Sequence, residues 1–159
     1  MNQITAIGSG LSAQDERAIS GVLVSYGTSI DQRDWKRFRA CFSEDCEADY
    51  GSFGRWQGAI AITAYMKQAH ADLGPTLHRI TNIEIRNEDD GVRARTYVDA
   101  LLMPMNEGGP IHRGVGYYDD QLVRTGSGWK IARRQFVPVL IALAIIATFT
   151  WQRTGSYRS

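Results

Sequence analysis

The chain has 159 residues, of which 43% are hydrophobic and 22% are charged, and its formal net charge at pH 7 is +1. This length and composition are typical of one globular domain with a sizeable core, so we predict a single domain over residues 1–159. Acidic and basic residues are mixed along the chain, which excludes the basic patch of a nucleic-acid-binding protein.

The cysteines and the N-terminal residues indicate the compartment. Cys41 and Cys46 have neither a metal-ligand nor a redox spacing, so we expect two small core residues that stay reduced. Residues 1–14 lack the charged region and apolar run of a signal peptide. We therefore expect a cytoplasmic protein.

Helices are predicted in the first half of the chain. Apolar residues at helical spacing indicate one helix from about Ala13 to Ile30 and a second from Trp35 to Phe42. The alternation of Cys46–Tyr50 then indicates a strand whose Tyr50 side chain faces the core. A third helix follows and is predicted to stop at Leu73-Gly74-Pro75, because glycine followed by proline ends helices.

Long strands are predicted in the second half. They cover Thr76–Asn87, Val92–Met105, Ile111–Arg124 and Trp129–Val137, with glycine-containing turns between them. Helices followed by an antiparallel meander give an α+β order. A long sheet with helices on one face curls, and a curled sheet leaves a pocket beneath the helices.

The C-terminal region carries an apolar tail. No charged residue occurs from Phe136 to Trp151, and the recurring alanines slightly favour a helix over a strand. Only 13 residues follow Pro138 up to and including Trp151, about 20 Å as a helix, so we predict that this tail is too short to span a membrane. We expect it to be buried across the pocket mouth or against another subunit.

Asp31 stands at the corner between the first two helices. Apolar faces flank it on both sides, and Asp34 is predicted to cap the second helix. A carboxylate at the rim of a core needs a partner, whereas a carboxylate in a polar turn is simply solvated. His78 is a candidate partner, although a satisfied core or edge histidine is an equally good interpretation. His70 is expected near the exposed end of the third helix, and His112 follows a glycine-rich turn; neither has a second ligand at metal spacing, so no metal site is predicted.

Asp99 is a second candidate carboxylate. It shares one strand face with Tyr97, Leu101 and Met103, and this face becomes apolar toward its end. The opposite face carries small aliphatic residues and is the alternative inner face, in which case Asp99 forms an ion pair with an arginine. Tyr117–Asp120 is expected to lie on the sheet surface.

The order of these motifs resembles a known family. A helix, D-x-x-D-W (31–35), a D-Y strand (49–50), a third helix, T-x-H (76–78), the meander and G-W-K (128–130) are similar to the SnoaL-like family of the nuclear transport factor two-like superfamily. The resemblance covers roughly residues 14–137 and leaves 138–159 as the tail. It implies a cone-shaped α+β barrel, in which a curved antiparallel sheet packs on three N-terminal helices.

Two branches of this family supply the expected site. Ile30–Trp35 followed by Asp49-Tyr50 resembles scytalone dehydratase. Four residues resemble the Tyr, Asp, His and Asp of bacterial bile-acid dehydratase, namely Tyr26, Asp31, His78 and Asp99. The resemblance implies a catalytic set of Asp31, His78, Tyr26, Tyr50 and Asp99. The strand of Asp99 lacks the second histidine of scytalone dehydratase, and the arginine of the bile-acid enzyme falls near Pro138.

These residues define a chemical hypothesis. Asp31 would orient His78 as a general acid and base, and the phenols of Tyr26 and Tyr50 would polarise a carbonyl or a leaving oxygen. We predict a cofactor-independent lyase of the dehydratase type, or an isomerase, for a small, largely apolar cyclic or carbonyl-containing substrate. The apolar wall is expected to consist of Trp35, Phe53, Trp56, Leu101 and Met103.

Two other classes of function stay open. One is a ligand-binding protein without catalysis, and the other is an assembly subunit like the small subunit of ring-hydroxylating dioxygenases, because a fold alone gives no function. An open pocket containing the Asp–His pair would favour an enzyme or a binder over an assembly subunit. The resemblance also implies a homodimer or homotrimer.

Overall fold

The computed structural model describes residues 10–106 and 108–145, and in these residues three helices pack on a six-stranded sheet. The helices are α1 (Ala13–Asp31), α2 (Trp35–Ala40) and α3 (Ala59–Ala69). The strands are β1 (Phe42–Asp49), β2 (Arg55–Gln57), β3 (Leu73–Glu88), β4 (Gly91–Pro104), β5 (Pro110–Thr125) and β6 (Gly128–Ile145). This arrangement confirms the predicted α+β cone.

The sheet has the order β2-β1-β6-β5-β4-β3. Strands β3 to β6 form the predicted antiparallel meander. Strand β1 instead pairs in parallel with β6, through Phe42 with Ile131 and through Glu47–Asp49 with Arg133–Gln135. This parallel pairing joins β1, which follows the first two helices, to the last strand of the meander.

Local capping explains where the first two helices begin. The Ser12 hydroxyl accepts a hydrogen bond from the backbone N–H of Asp15 at 3.1 Å. Asp34 caps α2 as predicted, because its carboxylate accepts from the backbone N–H of Arg37 at 2.9 Å. Between the helices Arg33 adopts a left-handed conformation with φ of 57°, which turns the chain sharply after Asp31.

Alternation along β4 decides which sheet face is the core. Val92, Ala94, Thr96, Val98 and Ala100 are all buried, so the small aliphatic row packs under the helices. The predicted alternative inner face is therefore the one observed. Small side chains on this row leave room between the sheet and α1.

Irregular pairing bends the long strands. The β3–β4 register shifts between Thr81 and Glu84, where Asn82 has a φ of 49°. The β5–β6 register shifts between Val115 and Gly116, and a Cβ on Gly116 would lie 2.3 Å from the carbonyl oxygen of Val137. Such bulges kink strands and increase their twist, so they give the sheet its curvature.

The last strand is longer than the sequence suggests. Residues 138–145 continue β6, so the preference for a helix was wrong over this part of the tail. The reason is that β5 begins at Pro110, and its first six residues provide pairing partners for Leu140–Ile145. The remainder of the predicted tail, 146–151, lies outside the described residues. Within the part of the chain that the structure describes, no helix has the length and apolarity needed to cross a membrane.

Gly27 sets the distance between α1 and β3. A Cβ at this position would lie 3.0 Å from Cγ1 of Ile80 and 3.1 Å from Cβ of His78. Only a hydrogen fits without displacing the strand. The close approach brings the middle of β3 against the end of α1.

We predict that Gly27→Ala destabilises the protein by about 1–3 kcal/mol, because the added methyl group overpacks the contact with β3. Gly21 on the same helix is the matched control, since a Cβ there meets nothing within 4 Å. Gly21→Ala is expected to stabilise by about 0.5–1 kcal/mol through helix propensity. Urea unfolding measures both, and equal stabilisation by the two substitutions would contradict the packing argument.

Candidate active site

The Asp31 carboxylate joins the end of α1 to the beginning of β3. Its Oδ1 accepts hydrogen bonds from the His78 ring Nδ1 at 2.7 Å and from the Thr76 hydroxyl at 2.9 Å. Its Oδ2 accepts from the backbone N–H of His78 at 2.8 Å. The contact expected between Asp31 and His78 is therefore present, across 47 positions of sequence.

This contact determines the histidine tautomer. A carboxylate can only accept a hydrogen bond, so the neutral His78 ring carries its proton on Nδ1. The other ring nitrogen, Nε2, then holds a free lone pair. Because His78 lines a cavity, that lone pair is available to a bound molecule.

Arg33 supports this corner and was not predicted to do so. Its guanidinium donates to the Ile30 carbonyl at 2.7 Å, to the Thr76 hydroxyl at 2.9 Å and to the Gly74 carbonyl at 2.9 Å. Burial lowers the pKa of Arg33, and the Asp31 carboxylate opposes that effect. Arg33 donates to Thr76, and Thr76 in turn donates to Asp31, so the carboxylate is held in one orientation. No sequence pattern indicates the contacts with Thr76 and Gly74, since these partners belong to β3, more than 40 positions away.

A cavity of about 230 Å³ lies between the helices and the sheet. Apolar side chains dominate its wall, and the side-chain groups capable of hydrogen bonding are four phenols and two imidazoles. The lining residues are Tyr26, Tyr50, Phe53, Tyr65, Met66, Ala69, His70, His78, Val98, Ala100, Leu102, Gly114, Tyr118, Phe136 and Ile141. Phe53 and Ile141 are 46% and 53% exposed, so the cavity opens to solvent beside them.

The wall differs from the predicted one. Of the five residues expected there, Phe53 lines the cavity. Trp56 stacks on Tyr65 behind the wall, with ring centroids 3.9 Å apart, and Trp35 packs against His70. The prediction was wrong for Leu101 and Met103, because they alternate with the inner residues of β4 and face outward.

Larger grooves also occur, of about 580, 440 and 370 Å³. They lie on charged parts of the surface, where the side chains form the ion pairs Arg39–Glu44, Arg133–Glu47 and Arg95–Asp119. The smaller cavity combines apolar walls with convergent polar groups, as ligand sites do. It is therefore the candidate site.

Three phenols meet inside the cavity. The Tyr26 hydroxyl lies 2.8 Å from that of Tyr50 and 3.5 Å from that of Tyr118. Burial raises the pKa of Tyr50 and of Tyr118 well above the ordinary value, so both stay protonated and can donate hydrogen bonds. Tyr26 and Tyr50 point into the cavity as expected.

Tyr118 and Asp120 correct the expectation that Tyr117–Asp120 lies on the sheet surface. Both are buried, at 4% and 3% exposure, and Asp120 forms an ion pair with Arg134. Alternation places Tyr118 and Asp120 inward and their neighbours outward. The signal was the shared parity with buried Leu122, which the run of polar residues obscured.

His70 is a further residue that the sequence placed wrongly. It was expected near an exposed helix end, but it is 7% exposed and lines the cavity beside His78, with ring centroids 6.1 Å apart. Its Nδ1 donates to the Met66 carbonyl at 2.8 Å. Burial lowers the pKa of His70 to about 4, so this ring is neutral at pH 7.

Asp99 was predicted as a catalytic residue but does not lie in the candidate site. It lies on the outer face of β4, where Arg113 donates to both carboxylate oxygens at 2.9 Å and Arg79 donates at 3.1 Å. These hydrogen bonds from Arg113 lower the pKa of Asp99. The physical reason is strand parity, because Val98 and Ala100 occupy the cavity side. The resemblance to the bile-acid enzyme therefore does not extend to this carboxylate.

Over residues 10–106 and 108–145, no group of three or more His, Cys, Asp or Glu side chains has a metal-binding arrangement. Cys41 and Cys46 are free thiols buried in the core.

We predict that His70 makes stability depend on pH. Its pKa is about 4 in the folded state, against 6.5 as the ordinary value, so between these values the unfolded chain binds a proton that the folded chain does not. Stability is therefore complete above pH 6.5 and falls by about 3 kcal/mol as the pH approaches 4. Urea unfolding at pH 7 and pH 4.5 measures this loss. His70→Gln is expected to reduce it, whereas exposed His112→Gln is not; equal pH dependence in the two variants would contradict the assignment.

Comparison with known proteins supports the fold. A curated but uncharacterized protein from Mycobacterium tuberculosis (strain ATCC 25618 / H37Rv) is 28% identical over 122 residues, which cover 76% of this chain and 82% of that protein. A solved structure from Novosphingobium aromaticivorans, provisionally assigned as a scytalone dehydratase, is 23% identical with a TM-score of 0.72 and covers 90% of this chain and 93% of that chain.

A second solved structure, hexachlorocyclohexane dehydrochlorinase from Novosphingobium barchaimii, is 15% identical with a TM-score of 0.74 and covers 87% of this chain and 96% of that chain. At such identities these structures show a shared fold. The sequence itself matches the profile of the SnoaL-like domain over residues 12–135. The chain therefore belongs to the SnoaL-like domain family.

Proposed function

We propose that this protein is a cofactor-independent lyase of the dehydratase type that processes a small, largely apolar cyclic or carbonyl-containing molecule. The observation that carries the proposal is the 2.7 Å contact between Asp31 and Nδ1 of His78, which leaves Nε2 free beside an apolar cavity. Two solved structures with this fold bear the names of a dehydratase and a dehydrochlorinase, which are both elimination enzymes.

The residues suggest the following elimination. Nε2 of His78 takes a proton from a carbon next to a carbonyl group, and the Asp31 carboxylate stabilises the imidazolium that forms. The phenols of Tyr26 and Tyr50 donate hydrogen bonds to the carbonyl oxygen as negative charge develops there. The C–O bond to the hydroxyl group then breaks, the imidazolium returns the proton to that oxygen, and water leaves.

The cavity limits the substrate. Its volume of about 230 Å³ lies below the range of roughly 300–1,000 Å³ that is typical of drug-sized ligands. One or two small rings would fit. The walls favour hydrocarbon surface, and the polar groups at His78 and the phenols favour one carbonyl or hydroxyl group.

An isomerase uses the same first step and returns the proton to a different carbon, so it stays the nearest alternative. A ligand-binding protein without catalysis is compatible with the same cavity. The opening beside Phe53 and Ile141 favours both over an assembly subunit, for which a sealed interior was the expectation. We retain a cytoplasmic location in this proposal, since both cysteines are free thiols.

Proton abstraction can be tested without knowing the substrate. We predict that the wild-type protein accelerates exchange of the α-hydrogens of 2-tetralone in D₂O, measured by NMR. His78→Gln and Asp31→Asn should slow the catalysed exchange by roughly a hundred- to ten-thousand-fold. His112→Gln, at an exposed position of β5, is the matched control and should retain the full rate.

Binding must be measured in the same variants. Calorimetric titration of 2-tetralone into His78→Gln should give an affinity within a few fold of wild type, because the cavity wall is otherwise intact. Full exchange activity in His78→Gln would refute the proposed base. Loss of binding together with exchange would instead indicate a ligand-binding role. Mass spectrometry of molecules that copurify with the protein addresses the substrate directly.

We also propose self-association through the end of β6. Residues 138–145 pair with β5 on one side, and the described part of β1 does not reach them on the other. This free edge exposes Val139, Leu140, Ile141 and Leu143 by 48–73%. Apolar edge strands pair readily with a second copy. Sedimentation of the wild type as a dimer or trimer, and of Val139→Glu/Leu143→Glu as a monomer, is the expected result; an unchanged state would exclude this edge.

A further inference from the structure

Arg134 is a buried cation directly behind the phenols of the cavity. The residue is 1% exposed, and its Nε and Nη2 each donate to the Asp120 carboxylate at 2.7 Å. Desolvation of a lone guanidinium is costly, so this bidentate pair is what keeps the charge inside. The pair plays no part in the elimination described above.

The guanidinium is sandwiched between two tyrosine rings. Its central carbon lies 4.0 Å from the ring centroid of Tyr26 and 4.0 Å from that of Tyr118. Its Nη1 has no hydrogen-bond acceptor among the described residues. The positive charge therefore acts on the faces of the two rings, where the π electrons attract cations.

A cation at the ring face changes what the hydroxyl groups can do. It withdraws electron density from the ring, so the O–H becomes a stronger hydrogen-bond donor. Burial raises the pKa of Tyr50 and of Tyr118, and Arg134 opposes that rise at both. The opposing charge of Asp120 has a smaller effect on Tyr118 than Arg134 has.

Not every hydroxyl hydrogen of Tyr26, Tyr50 and Tyr118 is used in hydrogen bonds within this cluster. Three phenols carry three O–H groups, and the contacts of 2.8 and 3.5 Å between them use at most two. All three residues line the cavity. At least one O–H is therefore left to donate to a bound molecule.

We propose that Arg134 is a positioning residue that makes the cluster of Tyr26, Tyr50 and Tyr118 a binding site for an oxygen anion. This deepens the proposed function, because it defines the substrate class as carbonyl compounds that become enolates, and it extends to preformed anions such as phenolates. Asp120 holds Arg134 in place and partly offsets its charge.

The probe is 4-nitrophenol, because its absorbance distinguishes the phenol from the phenolate and its single ring suits the cavity. Wild-type protein is expected to bind the phenolate preferentially, so the bound probe should ionise at a lower pH than the free probe. 4-Nitrotoluene, which replaces the hydroxyl by a methyl group, is the matched neutral ligand.

We expect two variants to change the affinity for the phenolate in opposite directions. Arg134→Met/Asp120→Leu replaces both charged residues by apolar ones, and buried ion pairs often tolerate such a replacement. This double variant should bind the phenolate about tenfold more weakly and 4-nitrotoluene as tightly as the wild type does. Asp120→Asn keeps the cation and removes its counter-charge, so phenolate binding should become tighter. A purely structural role would weaken phenolate binding in both.

The outcomes separate the explanations. Equal losses for 4-nitrophenolate and 4-nitrotoluene in the double variant, or weaker phenolate binding in Asp120→Asn, would overturn the proposal. If neither variant folds, the wild type decides, because a bound probe that ionises at the same or a higher pH than free 4-nitrophenol also overturns it. The same holds for a wild type that does not bind the probe at millimolar concentration.

His78→Gln provides the remaining control. The lowered ionisation pH should persist in this variant, and its disappearance would assign the effect to proton transfer to His78 instead. Because no turnover is measured, the result stands whether or not the protein exchanges the α-hydrogens of 2-tetralone. Failure of this inference and failure of the proposed lyase activity are therefore distinguishable.

Discussion

The structure depends on one carboxylate that ties two distant parts of the chain together. Asp31 ends α1, and its two oxygens accept three hydrogen bonds from Thr76 and His78 at the beginning of β3. Charge-assisted hydrogen bonds of this kind are roughly twice as strong as neutral ones. They fix the angle at which the sheet leaves the helices, and the same contact orients the imidazole toward the cavity. Fold and candidate chemistry therefore share one interaction.

Packing around this contact explains why the cavity exists. Gly27 lets β3 approach α1, while the small residues Val98 and Ala100 on β4 leave space next to it. The bulges in β3 and β5 curve the sheet around that space. Close approach on one side and small side chains on the other produce a largely apolar cavity, in which the phenols of Tyr26, Tyr50 and Tyr118 are buried. In such an environment hydrogen bonds to a bound molecule are stronger than they are in water.

Local patterns in the sequence were enough to predict the helices and the meander, whereas the pair Asp31–His78 was predicted from the resemblance to the family. Each of these rests on residues close in sequence or on a motif order that resembles the family. The inward-facing side of each strand was harder to predict. In β4 a small aliphatic row alternates with a row containing Asp99, and either could have been the inner face. The burial of Tyr118 depends on Arg134, which lies 14 positions beyond Asp120 on another strand. Parity with Leu122 did indicate the inner side of the strand, but the ion pair of Asp120 with Arg134 left no local pattern. The same holds for the packing of His70 beside His78 and for the pairing that continues β6, because both join distant parts of the chain.

The central claim is that Asp31 holds His78 with its proton on Nδ1 and its lone pair on Nε2. Long-range ¹H–¹⁵N correlation spectra of the histidine rings measure this directly, since they identify the protonated nitrogen of each neutral ring. We expect the neutral His78 ring to be the Nδ1–H tautomer in the wild type, and we expect Asp31→Asn, whose side-chain amide can also donate, to lose this preference. A wild-type spectrum showing His78 protonated on Nε2 would contradict the account.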